Sequence, residues 1–402
     1  MTRMRAAIWA LNAALLFGAL LYQAKGIVLL FSPKGGGDVL LRWQEQRYVI
    51  RGQNPYDVTY AALKVGRPPS DPGRNAETIP EIGVPDSGGY PPWAFLFGYL
   101  MFWPPNAAVK AYFLAVSLLM TAVLGLWAYR TLRPAGVGRE AGWLGAASVL
   151  AISGFSTCTN VGQYGAVVVG LLALAAGAWT CRWDTIAGVL IGLALLKPTI
   201  AGPFVLVLLV TGRWRALAAC VIYTTLASAV VWWQTSTNPV EMLLQMLSAG
   251  SEYVTDSQGF IGLLLRIGLT TEEVTPVLAI GILTPGFAAL VFFRHRSVVD
   301  LFAVSAVIGR LWAYHKGYDN MMLAFLLVAL GRAALIRQTP LAVGAFLICG
   351  VMAWAPASLS RQDAYVYAQF IAWICGVIVL LAAPQQELAS AGELEVVPDR
   401  AT

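Results

Sequence analysis

Long apolar stretches, separated by short loops that carry most of the arginines, recur along almost the whole chain. Apolar amino acids (Ala, Val, Ile, Leu, Met, Phe, Trp, Tyr and Cys) make up 58% of the 402 residues, and charged residues only 12%. Soluble proteins contain roughly 45–50% apolar and about 25% charged residues, so this chain has too few charges to cover its apolar side chains in water. One membrane helix needs roughly 20 apolar residues, so about twelve helices would account for the apolar fraction. The sequence therefore predicts an all-α polytopic membrane protein and excludes a soluble enzyme, a coiled coil and a disordered chain.

The loop arginines predict how the helices cross the membrane. Residues 8–31 follow Arg3 and Arg5, exceed the length of a signal-peptide core and lack a convincing cleavage site, so we expect them to be retained as the first span. Because basic loops stay in the cytoplasm, alternation of the later spans gives about twelve spans with both termini cytoplasmic, in the plasma (inner) membrane. The net charge of +6 is explained by these loops, and no nucleic-acid partner is predicted.

The chain is interpreted as one membrane domain, residues 1–384, followed by a cytoplasmic polar tail, residues 385–402. Residues 32–106 form a first outer loop with helices at the membrane surface. Within residues 185–212 only Lys197 interrupts the apolar run. The run is too long for one relaxed span. A single span would also place the basic loops before and after it on opposite sides of the membrane, so we expect two short helices that meet at Lys197-Pro198. A buried ammonium group at that turn suggests an anionic partner.

With this topology, most polar residues between spans collect on the outer face, whereas the inner face carries arginines and little else. A transporter needs polar groups near mid-depth, often on helices related by an internal repeat, and we find no such repeat. A site on one membrane face is typical of an enzyme whose substrate is a lipid with a polar head.

Six short motifs follow one another along the chain and share the outer face. They are Gly35-Gly36-Gly37-Asp38, Gly52-Gln53-Asn54-Pro55-Tyr56, Tyr90-Pro91-Pro92, Gly162-Gln163, Leu196-Lys197-Pro198 and the aromatic segment 312–318. In this order, over residues 8–335, the chain resembles the C-type glycosyltransferases of family 87, which include the polyprenol-phosphate-mannose-dependent mannosyltransferase of phosphatidylinositol-mannoside synthesis. The chain departs from the family pattern at Tyr314-His315-Lys316, where a Ser/Pro-rich lead-in to a histidine is expected, and in a Pro/Gly-rich insertion at 65–89.

The resemblance implies the C-type glycosyltransferase fold and transfer of a sugar, with mannose as the first candidate, from a polyprenyl-phosphate donor. The acceptor would be a hydroxyl of a lipid-linked or glycan molecule at the outer membrane face. An inverting transfer requires a base for the acceptor proton and cations for the leaving phosphate, but no nucleophile.

These requirements select the candidate site residues. Asp38 is the candidate catalytic base. The alternative interpretation is that Asp38 is a solvated loop residue or caps the helix that follows it. Asp57 follows a turn sequence and is interpreted as structural. The candidates for binding the donor phosphate are Lys197, His315, Lys316 and Arg310. The candidates for binding sugar or acceptor are Tyr56, Tyr90, Gln163, Asn160 and Gln258, although interfacial aromatic residues and helix caps would explain several of them.

No metal or other cofactor is predicted. The sequence contains no Asp-x-Asp motif, and none of its 5 cysteines forms a pair with metal-ligand spacing. Three alternatives stay open: an arabinofuranosyltransferase of the same fold, a flippase for lipid-linked sugars, and a non-catalytic membrane scaffold.

Overall fold

The computed structural model describes residues 2–63, 79–83, 85, 89–135, 138–253 and 257–382. The regular secondary structure of these residues is helical throughout. Most of the insertion at 65–89 and the whole predicted tail at 385–402 lie outside the described residues.

The α-helices are numbered in chain order. They are α1 (Thr2–Leu30), α2 (Gly37–Ile50), α3 (Pro55–Leu63), α4 (Ala94–Met101), α5 (Asn106–Leu132), α6 (Arg139–Leu150), α7 (Gly154–Val161), α8 (Gly165–Thr180), α9 (Asp184–Ala194) and α10 (Pro198–Val210). They continue with α11 (Trp214–Thr235), α12 (Pro239–Tyr253), α13 (Phe260–Arg266), α14 (Thr271–Leu278), α15 (Thr284–Phe292), α16 (Val298–Trp312), α17 (Ala324–Arg337), α18 (Pro340–Trp354) and α19 (Asp363–Leu381). A π-helical turn, Ala279–Leu283, joins α14 to α15, and 3₁₀ segments include Arg133–Ala135, Gly317–Leu323 and Ala357–Arg361.

The apolar helices make this a polytopic membrane protein. By length and composition, 5 helices could cross a membrane: Met4–Leu30, Asn106–Ala135, Trp214–Thr235, Gly317–Arg337 and Asp363–Leu381. The pair α6 and α7, bent by 48°, gives a sixth candidate span. Helices also occupy the other stretches predicted as spans, but they have only 8 to 17 residues. The total of about twelve spans therefore stays a prediction.

The predicted break at Lys197-Pro198 is confirmed. Helix α9 ends at Ala194, and α10 begins at Pro198 with Lys197 as its N-cap residue. Proline suits the first turn of a helix because its missing N–H would have no helical partner there. The break leaves two helices that would each be about 16–20 Å long at roughly 1.5 Å per residue.

Helices α8, α16 and α17 form the centre of the molecule. The side chains of α16 and α17 are almost all buried, and aromatic rings join α10, α16 and α17: Phe204 lies 4.9 Å from Phe302 and 5.3 Å from Phe325 between ring centroids. Helices α1 and α11 instead expose many large apolar side chains, as helices in contact with lipid do.

The first outer loop folds onto one end of this bundle. Helix α2 is held by Trp43, whose indole Nε1 donates to the Pro104 carbonyl at 2.9 Å. The start of α2 contacts the end of α7, since the Gly36 amide donates to the Asn160 carbonyl at 2.7 Å. At the opposite end, Arg130, Arg296 and Arg332 surround one cavity, so the prediction that these arginines share one end of the bundle is confirmed. The assignment of that end to the cytoplasm stays a prediction.

Candidate active site

A cavity of about 600 Å³ opens at the end of the bundle covered by α2, and we call it the Asp38 cavity. Its walls come from α1, α2, α7, the segment 313–318 and the 3₁₀ segment Ala357–Arg361. Among the described residues, four tyrosines, three amide side chains and four cations line it, together with a single carboxylate. These residues are Tyr22, Tyr90, Tyr314, Tyr318, Asn160, Gln163, Gln258, Lys25, Arg42, Lys316, Arg361 and Asp38.

The glycines before Asp38 allow close backbone packing. A Cβ atom on Gly35 would lie 1.8 Å from the Leu29 carbonyl oxygen, and Gly36 has a φ of +70°, which favours glycine. This tight connection from α1 places Asp38 in the first turn of α2, with its half-buried carboxylate facing the cavity.

A hydrogen-bonded chain of three side chains orients the Asp38 carboxylate. Burial raises the pKa of Tyr90 well above its usual range, so the phenol keeps its proton and donates to Gln163 Oε1 at 2.8 Å. The other end of the same amide, Gln163 Nε2, donates to Asp38 Oδ2. An ionised carboxylate only accepts hydrogen bonds, so Gln163 must direct its NH₂ group toward Asp38. Its oxygen then faces Tyr90 and accepts from the phenol, as observed. Within the described residues Asp38 has no other hydrogen bond and no ion pair, and Oδ1 is available to a ligand.

Among the described residues, four cations line the same cavity as this carboxylate, and only Lys316 among them is predicted from the sequence. Lys25 shares one face of α1 with Tyr22 and Leu29, which also line the cavity. Arg361 is exposed in the 3₁₀ segment between α18 and α19. Each had a sequence signal, because Lys25 interrupts an apolar run and Arg361 lies in the short polar stretch between the last two apolar runs.

The fourth cation, Arg42, is positioned by its neighbours on and near α2. Its Nη1 atom forms an ion pair with Glu45 at 2.6 Å, and its guanidinium carbon lies 4.6 Å from the centre of the Tyr90 ring. Glu45 is buried and is absent from the cavity lining. Arg42 therefore supports the Tyr90 ring as well as lining the cavity.

Lys197 and His315 come together, but they lie behind the cavity wall instead of in it. Lys197 Nζ is 2.5 Å from Asp319 Oδ1, and His315 Nδ1 is 3.0 Å from Asp319 Oδ2. The other ring nitrogen of His315 is 2.6 Å from the Gly309 carbonyl oxygen, and the side chain is fully buried. Both nitrogens are thus engaged within the protein. The expectation that His315 contacts the donor phosphate does not match this placement. The imidazole instead joins Gly309 of α16 to Asp319 in the segment that follows α16.

This Lys197–His315–Asp319 cluster holds the wall segment in place. Asp319 Oδ2 also accepts from the Lys316 backbone N–H at 3.3 Å, and Lys197 Nζ lies 4.9 Å from the centre of the Tyr318 ring. Lys316 and Tyr318 both line the cavity. The cluster therefore positions two cavity side chains without facing the cavity itself.

Arg310 also lies outside the cavity lining. Its side chain is fully buried, with Nε donating to Asn320 Oδ1 at 2.6 Å and Nη2 donating to the Gln258 carbonyl at 3.2 Å. Its guanidinium carbon is within 6 Å of two aromatic rings of α19, Phe370 and Trp373. Sequence reasoning placed Arg310 at the correct end of α16 but could not determine the direction of its side chain.

The remaining candidates divide into lining and supporting residues. Asn160, Gln163, Tyr90 and Gln258 line the cavity, and Gln258 Oε1 also accepts from the Gly317 amide at 2.8 Å. Tyr56 is fully buried outside the lining, where its hydroxyl donates to the Tyr90 carbonyl.

The segment at Asn54-Pro55-Tyr56-Asp57 begins α3, as a turn sequence predicts. Asn54 Oδ1 accepts from the Tyr56 amide at 3.1 Å. Asp57 accepts from Gln245 of α12 at 2.7 Å, which agrees with a structural role. The segment supports the cavity wall through the contact between Tyr56 and Tyr90.

The sequence model of glycosyltransferase family 87 matches residues 89–313, more than half of the chain. The matched region contains Tyr90, Gln163, Lys197, Gln258 and Arg310, whereas Asp38 and Lys316 lie outside it. A search of curated proteins finds no match to this chain. Among the described residues, no three His, Cys, Asp or Glu side chains come together in an arrangement that could hold a metal ion.

Proposed function

Because this chain belongs to glycosyltransferase family 87, we propose that it transfers a sugar from a polyprenyl-phosphate donor to a hydroxyl of a lipid-linked or glycan acceptor. The observation that carries the proposal is the charge pattern of the Asp38 cavity. Asp38 is the only carboxylate among the described lining residues, and it faces the same space as Lys25, Lys316 and Arg361. One base opposite several cations is the minimal set for an inverting transfer from a phosphate leaving group. Mannose is the first candidate sugar.

Asp38 would act as the general base. Its Oδ1 takes the proton of the acceptor hydroxyl while that oxygen attacks the anomeric carbon from the side opposite the phosphate. The bond between the anomeric carbon and the phosphate oxygen breaks, and its electron pair leaves with the phosphate. The anomeric centre is inverted. Gln163 fixes the orientation of the carboxylate through Oδ2 and leaves Oδ1 directed toward the acceptor.

The leaving phosphate gains negative charge during this step, since a phosphodiester becomes a monoester. Lys25, Lys316 and Arg361 are the cations that the cavity offers for this charge. They replace Lys197, His315 and Arg310 as the proposed phosphate contacts, because those three do not line the cavity. Lys197 and His315 become positioning residues for Lys316 and Tyr318.

The position of Lys25 also suggests how the isoprenoid chain enters. Lys25 and Leu29 belong to α1, whose other faces expose Phe17, Leu21 and Val28. A donor could place its phosphate at Lys25 and keep its chain in the lipid beside α1. The membrane then supplies the binding energy for the chain, and the cavity has to hold only the phosphate and the sugar.

The test is transfer by purified protein in liposomes, supplied with a panel of polyprenyl-phosphate sugars that includes mannose and arabinofuranose. The Asp38→Asn variant should still bind donor but lose transfer by roughly 10²- to 10⁴-fold, the usual contribution of a general base. Asp363→Asn is a matched control, because Asp363 pairs with Arg266 outside the cavity lining. Transfer by Asp38→Asn within a few-fold of the parent would overturn the proposed mechanism. Movement of intact donor across the bilayer with no sugar consumed would indicate a flippase instead.

We propose that the Asp38 cavity faces the outside of the plasma membrane. Lys34, next to the cavity, and Arg215, on the arginine-rich end, are both exposed and suit single-cysteine labelling after replacement of the exposed Cys181 and Cys375. An impermeant reagent applied to intact cells should label Lys34→Cys and spare Arg215→Cys. The reverse pattern would place the active site in the cytoplasm.

A further inference from the structure

A second cavity, of about 960 Å³, lies at the opposite end of the bundle, and we call it the Arg130 cavity. It is bounded by α5, α8, α9, α16 and α17. Helix α8 begins two residues after Gln163, and its last turn lines the second cavity. Its 16 residues span about 24 Å at roughly 1.5 Å per residue, so the two cavities are separate.

One wall of the Arg130 cavity is apolar and open to the surroundings of the protein. Leu126, Trp183 and Ile186 are each at least half exposed, at 50%, 60% and 50%, and they line the cavity together with Leu174 and Leu190. These side chains come from three neighbouring helices and form a concave surface. In a membrane protein such a surface faces lipid chains, and its concave shape can hold one chain in a fixed position.

The other side of the cavity is cationic. Arg130, Arg296 and Arg332 line it with one buried carboxylate, Asp300, so these four groups carry a net charge of +2. Arg332 Nη1 donates to Ser297 Oγ at 3.2 Å, and Arg296 Nη2 donates to the Leu381 carbonyl at 2.8 Å. These contacts hold two guanidinium groups at the cavity. Arg130 is exposed and has no hydrogen bond or ion pair within the described residues.

We propose that the Arg130 cavity is a binding site for an anionic phospholipid. The headgroup phosphate would contact Arg130 and the two other arginines, and one acyl chain would lie along the apolar wall of α5, α8 and α9. Charge complementarity beside an apolar groove supports this assignment. A net negative headgroup is attracted to the arginines, whereas a zwitterionic headgroup also brings a positive charge close to them. The site is distinct from the proposed glycosyl transfer and does not depend on it.

The experiment measures lipid binding to the purified, detergent-solubilised protein by native mass spectrometry. The probes are phosphatidylglycerol and phosphatidylcholine with identical acyl chains, and soluble glycerol phosphate. The parent protein should bind phosphatidylglycerol in preference to phosphatidylcholine and should bind glycerol phosphate weakly. Replacement of Arg130 by Gln should lower the affinity for phosphatidylglycerol by about fivefold, the contribution expected of one surface arginine. Arg215→Gln is the matched control, since this exposed arginine is absent from the cavity lining.

A second variant tests the groove independently of charge. Gly177 lines the cavity within α8, and a Cβ atom added there would meet no atom within 4 Å. The Gly177→Leu side chain should therefore fill the groove without disturbing the fold, and it should weaken binding of both phospholipids while the melting temperature is unchanged or higher. Gly344→Leu in α18, also in open space but absent from the cavity lining, is its control.

Three results would overturn the proposal. The first is equal binding of the two phospholipids by the parent protein. The second is undiminished binding of phosphatidylglycerol by both Arg130→Gln and Gly177→Leu. The third is glycerol phosphate binding as tightly as the lipid, which would show a free-phosphate site. Because the readout is lipid binding, none of these results bears on transfer at Asp38.

Discussion

Gln163 donates a hydrogen bond from its side-chain amide to the carboxylate of Asp38, across a separation of 125 residues in the chain. The contact joins the beginning of α2 to the turn before α8 at the wall of the Asp38 cavity. It also fixes which carboxylate oxygen faces the protein and which faces the ligand.

Loss of this contact should slow the proposed reaction without unfolding the protein. A hydrogen bond to a charged group contributes about 1.5–3 kcal/mol, so Gln163→Leu should lower kcat by roughly 10- to 100-fold. Tyr90→Phe, which removes only the hydroxyl that donates to Gln163, should have a smaller effect. Steady-state kinetics at saturating donor measure both. Full activity of Gln163→Leu would show that the amide does not orient the base.

The cations of the cavity should bind the donor by its phosphate. Lys25→Gln and Arg361→Gln should each raise the KM for the donor by roughly tenfold at low salt, with a smaller increase at high salt, because ionic strength screens exposed charges. Lys34→Gln is the control, since Lys34 is exposed in the connection between α1 and α2 but does not line the cavity. An equal effect of Lys34→Gln would indicate general attraction to the surface and would contradict specific phosphate contacts.

The buried pair of Lys197 and Asp319 should contribute strongly to stability. Their side chains are only 13% and 2% exposed, and removal of Lys197 takes away the lysine that pairs with the buried carboxylate. Lys197→Met should therefore destabilise the protein by about 3–5 kcal/mol and lower the melting temperature. Lys34→Met, a loss of an exposed lysine, should leave the melting temperature unchanged. If Lys197→Met is as stable as the parent but cannot bind donor, Lys197 contacts the phosphate directly, as the sequence analysis expected.

Gly162 should be intolerant of any side chain. Its φ is +81°, and a Cβ atom would lie 2.7 Å from Val39 Cβ and 2.9 Å from the Val39 nitrogen. Gly162→Ala should thus push the turn that carries Gln163 away from the start of α2, with loss of transfer and a lower melting temperature. Gly344→Ala, in a helix with open space around it, should be neutral or slightly stabilising. Normal transfer by Gly162→Ala would mean that this close packing is not required.

Much of the fold could be predicted from local sequence. Apolar runs of helical length predicted the helices, because a segment in lipid must satisfy its backbone hydrogen bonds within itself. The length of the apolar run 185–212 and the basic loops on either side of it predicted the break between α9 and α10 at Lys197-Pro198. The number of membrane crossings could not be settled in this way, since helices such as α9 and α16 are shorter than a typical span.

The sequence by itself separated Asp38 from the loop arginines, which line a different cavity, and it selected Asp38 as the candidate base. Only the tertiary structure decided which side chains reach the cavity. Lys197 and His315 turn toward Asp319, whereas Lys25 and Arg361 face the open space. The physical reason is that the order of residues fixes position along a helix, but the direction of a side chain depends on how helices rotate and pack against distant segments. A buried carboxylate such as Asp319 is stabilised by neighbouring cationic side chains. Which side chains are its neighbours depends on the folded structure.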